Sequence, residues 1–344
     1  MLETLLICIL SFFQFIFETI DNNTPATKNF LKTVQPQIEY SQLAELKIPR
    51  TNFSVIQNQN NNLLFIGNTN SFEFYDANKN QMTILNTNCP FDLYNNEPYL
   101  TDNNNILIFS QNGIVEFNQE TSDCNLKTKI DNTHTLKTIK IDNNNYLLVK
   151  TKSLKNENIQ SLSLYNSKSN NVKNIKEIKQ NDLLWSGVLT KIGDDQIFIH
   201  NNNQTETLGE IYNLKTHKLT SVTPQNIKIF DINSPILFER KLYNNNSKTF
   251  INFDELINNK WKPIIVKDNF VYFSRLKSST NKTVTEFGKL NIETENFERL
   301  GYIPYMINPK YTYYLNKNKL LFVTRGKYGD IEHETVFNNI LIDL

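Results

Sequence analysis

The chain has 344 residues, enough for one large domain or two ordinary ones, and its 36 basic and 35 acidic side chains leave a formal charge of +1. The charges are scattered without a polybasic run, which argues against binding a nucleic-acid phosphate backbone as the main task and against a polybasic membrane patch. Aromatic residues reach 12%, so apolar area for a core is ample, while only 9 Gly and 10 Pro are present; turns must be made by Asn and Asp, which tolerate left-handed backbone and bond their own main chain.

The first element is "LLICILSFFQFIF", residues 5–17. A membrane-spanning helix needs roughly 20 such residues, whereas a secretory apolar core needs about 7–15. Residues 1–24 are therefore expected to be a signal peptide or a hydrophobic N-terminal segment, although Glu3 stands where a basic residue is usual, and a signal anchor is the other reading. Residues 25–344 are expected to form one domain, secreted or in the secretory lumen, with no stable membrane insertion after signal removal. Removing the segment takes Cys8 and leaves Cys89 and Cys124, 35 residues apart, which are expected either to pair in an oxidising compartment or to remain as two buried thiols. Five N-x-[ST] sequons occur, at Asn22, Asn52, Asn203, Asn245 and Asn281; Asn203, Asn245 and Asn281 sit in polar loop stretches that would accommodate glycans.

From residue 53 onward one pattern recurs: an apolar run, an Asn- or Asp-rich turn, and four mostly apolar residues. It occurs in "FSVIQNQNNNLLFI", "YLTDNNNILIF", "TIKIDNNNYLLV", "VLTKIGDDQIFI", "IKIFDINSPILF", "IIVKDNFVYF" and "YYLNKNKLLFV". The second runs begin at Leu63, Ile106, Tyr146, Ile197, Ile236, Phe270 and Leu320, with gaps of 43, 40, 51, 39, 34 and 50 residues. An alternating strand ending in [DN]-x-x-[TSK] follows, with Asp76, Asn118, Asn166, Asn213 and Asn291 opening the turn; for the fifth unit, "TFINFDELINNKW" (249–261) is the weaker match. A weak fourth strand comes next. No segment after residue 25 shows a convincing helical period.

Seven four-stranded units of about 43 residues describe an all-β, seven-bladed β-propeller, and the same spacing also admits six or eight blades. The last unit ends at its third strand, "NNILIDL". A ring must close or leave an open edge, so residues 35–49, just ahead of the first unit, are expected to supply the outer strand of the last blade. The third-strand pattern, apolar-x-apolar-Tyr-[DN]-x-x-Thr over residues 53–344, resembles kelch-type blades, with the paired glycines of that class absent. By that resemblance, Trp261 in "KW" is expected to pack between blades.

The four His residues, His134, His200, His217 and His333, are scattered, and no Cys joins them, so neither a metal site nor a cofactor is expected. No nucleophile elbow or glycine-rich phosphate loop is present. The chain has five Arg, three of which, Arg240, Arg275 and Arg325, follow the second strand of the fifth to seventh units. Lys150 and His200 hold that position in the third and fourth. The planar fork of Arg grips carboxylate or phosphate bidentately, so these residues, with the loop aromatic Tyr328, are expected either to form a basic arc for an anionic ligand or to pair with neighbours such as Glu239 and Glu286.

A protein-binding or scaffold module follows, with a protein or anionic glycan as partner. The alternatives are a glycan-active propeller enzyme, sialidase- or glycosidase-like, and a structural coat or virion component.

Overall fold

The computed structural model describes residues 38–48, 53–67, 71–93, 96–130, 135–154, 157–178, 185–201, 207–278, 283–307, 312–315, 319–325 and 337–343. The apolar segment 5–17, Tyr328, Asn203 and Asn281 lie outside them, as does the side chain of Arg325.

The strands form seven antiparallel sheets, six of four strands and one of three, arranged as a seven-bladed β-propeller. Second strands begin at Leu63, Ile106, Asn145, Gln196, Ile236, Phe270 and Lys319, each within one residue of the start read from the repeat. Their apolar runs are continuous because both faces are covered. In the first blade Leu63 and Phe65 pack toward the seventh, while Leu64 and Ile66 pack toward the second. The second blade repeats this, with Ile106 and Ile108 turned back and Leu107 and Phe109 turned forward. Each blade junction holds one apolar cluster in this way, right round the ring.

The ring closes as the sequence requires. Ser41–Leu43 pairs antiparallel with Asn339–Leu341 as the outermost strand of the seventh blade. Ala44 O accepts from Asn339 Nδ2 at 2.6 Å, and Ile38 N donates to Tyr302 O in the outermost strand of the sixth blade. Cys89 and Cys124 form a disulfide, Cα atoms 4.7 Å apart, across the first and second blades.

The turn after each third strand has one construction in six blades. Asp76, Asn118, Asn166, Asn213, Asn244 and Asn291 each accept from the backbone N–H two and three residues on. The fifth residue of each turn is left-handed: Asn80, Ser122, Asn170, His217, Lys248 and Glu295, with φ from 47° to 61°. The Tyr that precedes the turn then secures that residue. Tyr75 donates to Asn80 Oδ1 and Tyr165 to Asn170 Oδ1, both at 3.1 Å, and the Tyr212 hydroxyl lies 2.9 Å from His217 Nδ1.

The fifth blade departs from the repeat. Its third strand is Lys241–Asn244 and its outermost strand is Thr249–Asn252, so residues 249–261 do not begin the third strand. The expected innermost strand is replaced by a 3-10 turn, Ile227–Ile229. Thr223 and Asn226 cap each other locally (Thr223 N to Asn226 Oδ1, 2.7 Å; Asn226 N to Thr223 Oγ1, 3.3 Å), which diverts the backbone from a ladder. Asn233 N then donates to Ile192 O of the fourth blade. A single helical turn, Asp254–Asn258, follows the outermost strand. Phe253, Leu256 and Ile257 give it an apolar face against Trp261, and Asp254 and Glu255 suit its first turn; the pattern is too short to register as a period.

Tyr243 stands where Tyr75 and Tyr165 do, but the left-handed partner is Lys248, which has no acceptor, and the Tyr243 hydroxyl is buried without a hydrogen bond among the described residues. Lys248→Asn supplies both an acceptor and a residue tolerant of positive φ. It should raise stability by about 1–2 kcal/mol in urea unfolding, while the same change in a Tyr243→Phe background should recover a smaller part of that gain.

Candidate ligand-binding cleft

Alternating strand direction sorts the connections. The second-to-third hairpins and the links between blades emerge at one end of the ring, and the remaining turns emerge at the other. Of the residues singled out as a basic arc, Lys150, His200, Arg240 and Arg275 lie toward the first end, but they do not share one environment.

His200 is 2% exposed. Its Nε2 lies 3.0 Å from Thr190 Oγ1, and its ring packs edge-on against Phe198 and obliquely against Phe238, with centroids 4.7 and 5.3 Å away. It is a core residue at the junction of the fourth and fifth blades rather than a member of a surface arc. Gly209 stands opposite it in the next strand, where a Cβ would strike the Ile199 carbonyl and the Phe198 ring. Lys150 is half-buried within a strand, paired with Leu136 and Ser161. Arg325 ends a strand whose partner at that point is Phe337.

Arg240 and Arg275 engage the same segment, the helical link from the fifth to the sixth blade. Arg240 is exposed and donates through Nε and Nη2 to one oxygen of Asp254, at 3.0 and 2.8 Å. The partner is thus Asp254 and not Glu239. Arg275 is 14% exposed in its side chain and meets Glu286, 1% exposed, at 2.5 Å. Its guanidinium carbon lies 4.5 Å from the centroid of Trp261, and Nη1 reaches Asn259 O at 3.4 Å. Trp261 is buried between blades against Phe297, Phe273 and Phe253. Arg275 is therefore built in: it neutralises a carboxylate whose other oxygen, Oε1, has no hydrogen bond among the described residues.

Beside this group lies a cleft of about 400 Å³. Ile257, Trp261, Leu276 and Ile307 form its apolar wall, Ser274 and Thr285 its polar floor, and Lys260, Lys262 and Arg275 its charged rim. Thr285 Oγ1 donates to Tyr305 O at 2.7 Å and faces Ile307 N at 3.2 Å, which fixes the wall contributed by the link to the seventh blade. Among the described residues no carboxylate lines the cleft. Leu276 and Ile307 were not singled out in the sequence; Leu276 continues a strand past its partner's end, while Ile307 is buried in the link to the seventh blade. Among the described residues no group of three His, Cys, Asp or Glu side chains is placed to hold a metal ion, and no helix is long and apolar enough to cross a membrane.

No family model and no curated protein matches the chain. Among solved structures, the extracellular domain of BT4673 from B. thetaiotaomicron matches with a TM-score of 0.51 and 9% identity, over 89% of this chain and 42% of that one. The extracellular domain of BT3049 from the same organism gives 0.46 and 15%, over 84% and 40%. Oligogalacturonate lyase in complex with manganese gives 0.44 and 8%, over 90% and 99%. The first match shows the propeller fold. The chain spans less than half the length of the BT4673 domain.

Two expected outcomes follow from these environments. Arg275→Ala leaves a buried carboxylate uncompensated and should cost about 3–5 kcal/mol in chemical denaturation, whereas Arg240→Ala breaks an exposed pair and should change stability by less than about 1 kcal/mol. Burial pushes the His200 imidazole down from its ordinary 6.5 to about 4. The unfolded chain takes up a proton that the folded chain refuses, so this contribution is complete above pH 6.5 and is lost as pH falls toward 4. The loss should be on the order of 3 kcal/mol in urea unfolding followed over that range, and His200→Gln should flatten it.

Proposed function

We propose that the protein is an exported binding module that takes a protein or other ligand bearing negative charge at the cleft of the sixth blade. The cleft carries this reading: an apolar wall with Lys260, Lys262 and the Glu286-paired Arg275 at its rim and, among the described residues, no lining carboxylate suits a ligand that joins an apolar group to an acid. The surrounding face supports it. Val188, Ile229, Leu276 and Met306 are large apolar side chains left 39–75% exposed at that end of the ring. Export is supported by the apolar segment 5–17 and by the Cys89–Cys124 disulfide, a bond that persists in oxidising compartments. A glycan on Asn245 would sit on a third-to-fourth turn, at the end of the ring away from the cleft. The recurrent Tyr and Asx turn supports a kelch-like reading of the repeat.

The test is an array of acidic, neutral and basic peptides together with carboxylated and neutral glycans. Acidic members should be retained at low salt and released at about 0.5 M salt, where charges are screened within a few ångströms. Leu276→Asp combined with Lys262→Glu alters two exposed side chains and should weaken retention at least about tenfold without changing the unfolding midpoint. Retention that ignores ligand charge, or equal retention by the double variant, excludes the cleft as the binding site.

A further inference from the structure

The hairpin of the sixth blade outruns its inner neighbour. The innermost strand, Lys262–Lys267, pairs with the second strand, Phe270–Ser278, only as far as Lys262 opposite Ser274. Second and third strands continue together through Arg275–Glu286, Leu276–Thr285, Lys277–Val284 and Ser278–Thr283. Among the described residues, Arg275–Ser278 thus has no strand on its inward side.

The cause is local. Lys260 adopts φ +66°, and Asp254–Asn258 is helical, so the chain turns away just before it would pair with Arg275. Trp261 N donates to Leu256 O at 3.0 Å, and its ring stops the ladder beneath the Arg275 guanidinium. The edge rises out of the cleft, with Leu276 45% exposed upon it.

A strand edge of this kind is a template for another chain, and natural proteins blunt such edges with cations. Arg275 and Lys277 do so here, with Lys260 and Lys262 alongside; at Lys277 the Glu286 carboxylate offsets part of the positive potential that Arg275 and Arg299 raise. The same charges that deter a like strand favour an acidic one. Side chains of an added strand would alternate between two surroundings. One face would meet Leu276, Thr285 and Ile307; the other would meet Arg275 and Lys277.

We propose that the inward edge of Arg275–Ser278 binds an extended peptide as an added strand, one that alternates apolar and acidic side chains. The proposal rests on the cleft being the binding site and specifies how its ligand is held. Backbone hydrogen bonds would supply affinity; the apolar wall and the cationic rim would supply selection.

A phage-displayed library of random octapeptides, selected on the full chain and counter-selected on the Leu276→Asp, Lys262→Glu double variant, provides the probe. The enriched peptide is then synthesised with N-methyl groups on alternate residues, in either of two phases. In an added strand only one phase turns its N–H groups to the edge, so that phase should weaken binding by at least about tenfold and the other by less than about threefold. Amide hydrogen exchange at 275–278 should slow by about tenfold on binding the unmethylated peptide. If both phases bind alike while the double variant does not bind, strand addition is overturned and the cleft stands as a site of another kind. If no peptide is enriched, or the enriched peptide binds the double variant equally, both readings fall.

Discussion

Burial of the second strand on both faces is the constraint on which the rest depends. A strand with one wet face alternates apolar and polar residues, and its neighbours are then free to be absent. "LLFI", "ILIF" and "YLLV" have no wet face, so each blade needs a neighbour before it and another after it. Only a closed ring satisfies every copy at once, and the closure by Ser41–Leu43 follows from this need rather than from any strength of its own; that strand is three residues long and mostly exposed. The side-chain packing at each junction is chiefly aliphatic and aromatic, and about 25 cal/mol per Å² of buried apolar area makes it the dominant favourable term.

Turn chemistry carries the second level of order. In a chain with few glycines, the left-handed position of each third turn falls to ordinary residues, each at a local cost. The Asx residue that opens the turn and the Tyr hydroxyl that reaches its end offset that cost in the first, third and fourth blades. Such a turn is specified by three side chains within six residues, which explains how a repeat with so little identity between copies keeps one geometry.

That economy also explains what could be read from the sequence and what could not. Runs buried on both faces and Asx turns are local signals, so blade number and strand order were legible, whereas Cys89 and Cys124 were legible only as either a pair or two buried thiols. The fifth blade was not, because Thr223 and Asn226 compete with the ladder through mutual caps, and composition does not reveal which hydrogen bond wins. The Arg residues were legible as a set but not in their use. Whether a guanidinium grips a ligand or a neighbour depends on where carboxylates such as Asp254 and Glu286 come to lie, and these approach from other strands. The cleft was illegible for the same reason: it exists where one strand ends four residues before its partner, a difference of length set by the helix that, among the described residues, follows the fifth blade alone.

The closing contact has a consequence for how the molecule is made. Asn339 and Ala44 meet across 295 residues, and the preceding segment reaches the sixth blade at Tyr302. Early blades can pair their own strands as they emerge, since each is a local meander. The ring as a whole waits for its final strands, and until then the first and last blades each present an uncovered apolar face. Contacts of such separation slow folding and prolong exposure to aggregation. For a chain still being synthesised, the interval between the first blade and the last is the period in which a chaperone would be needed.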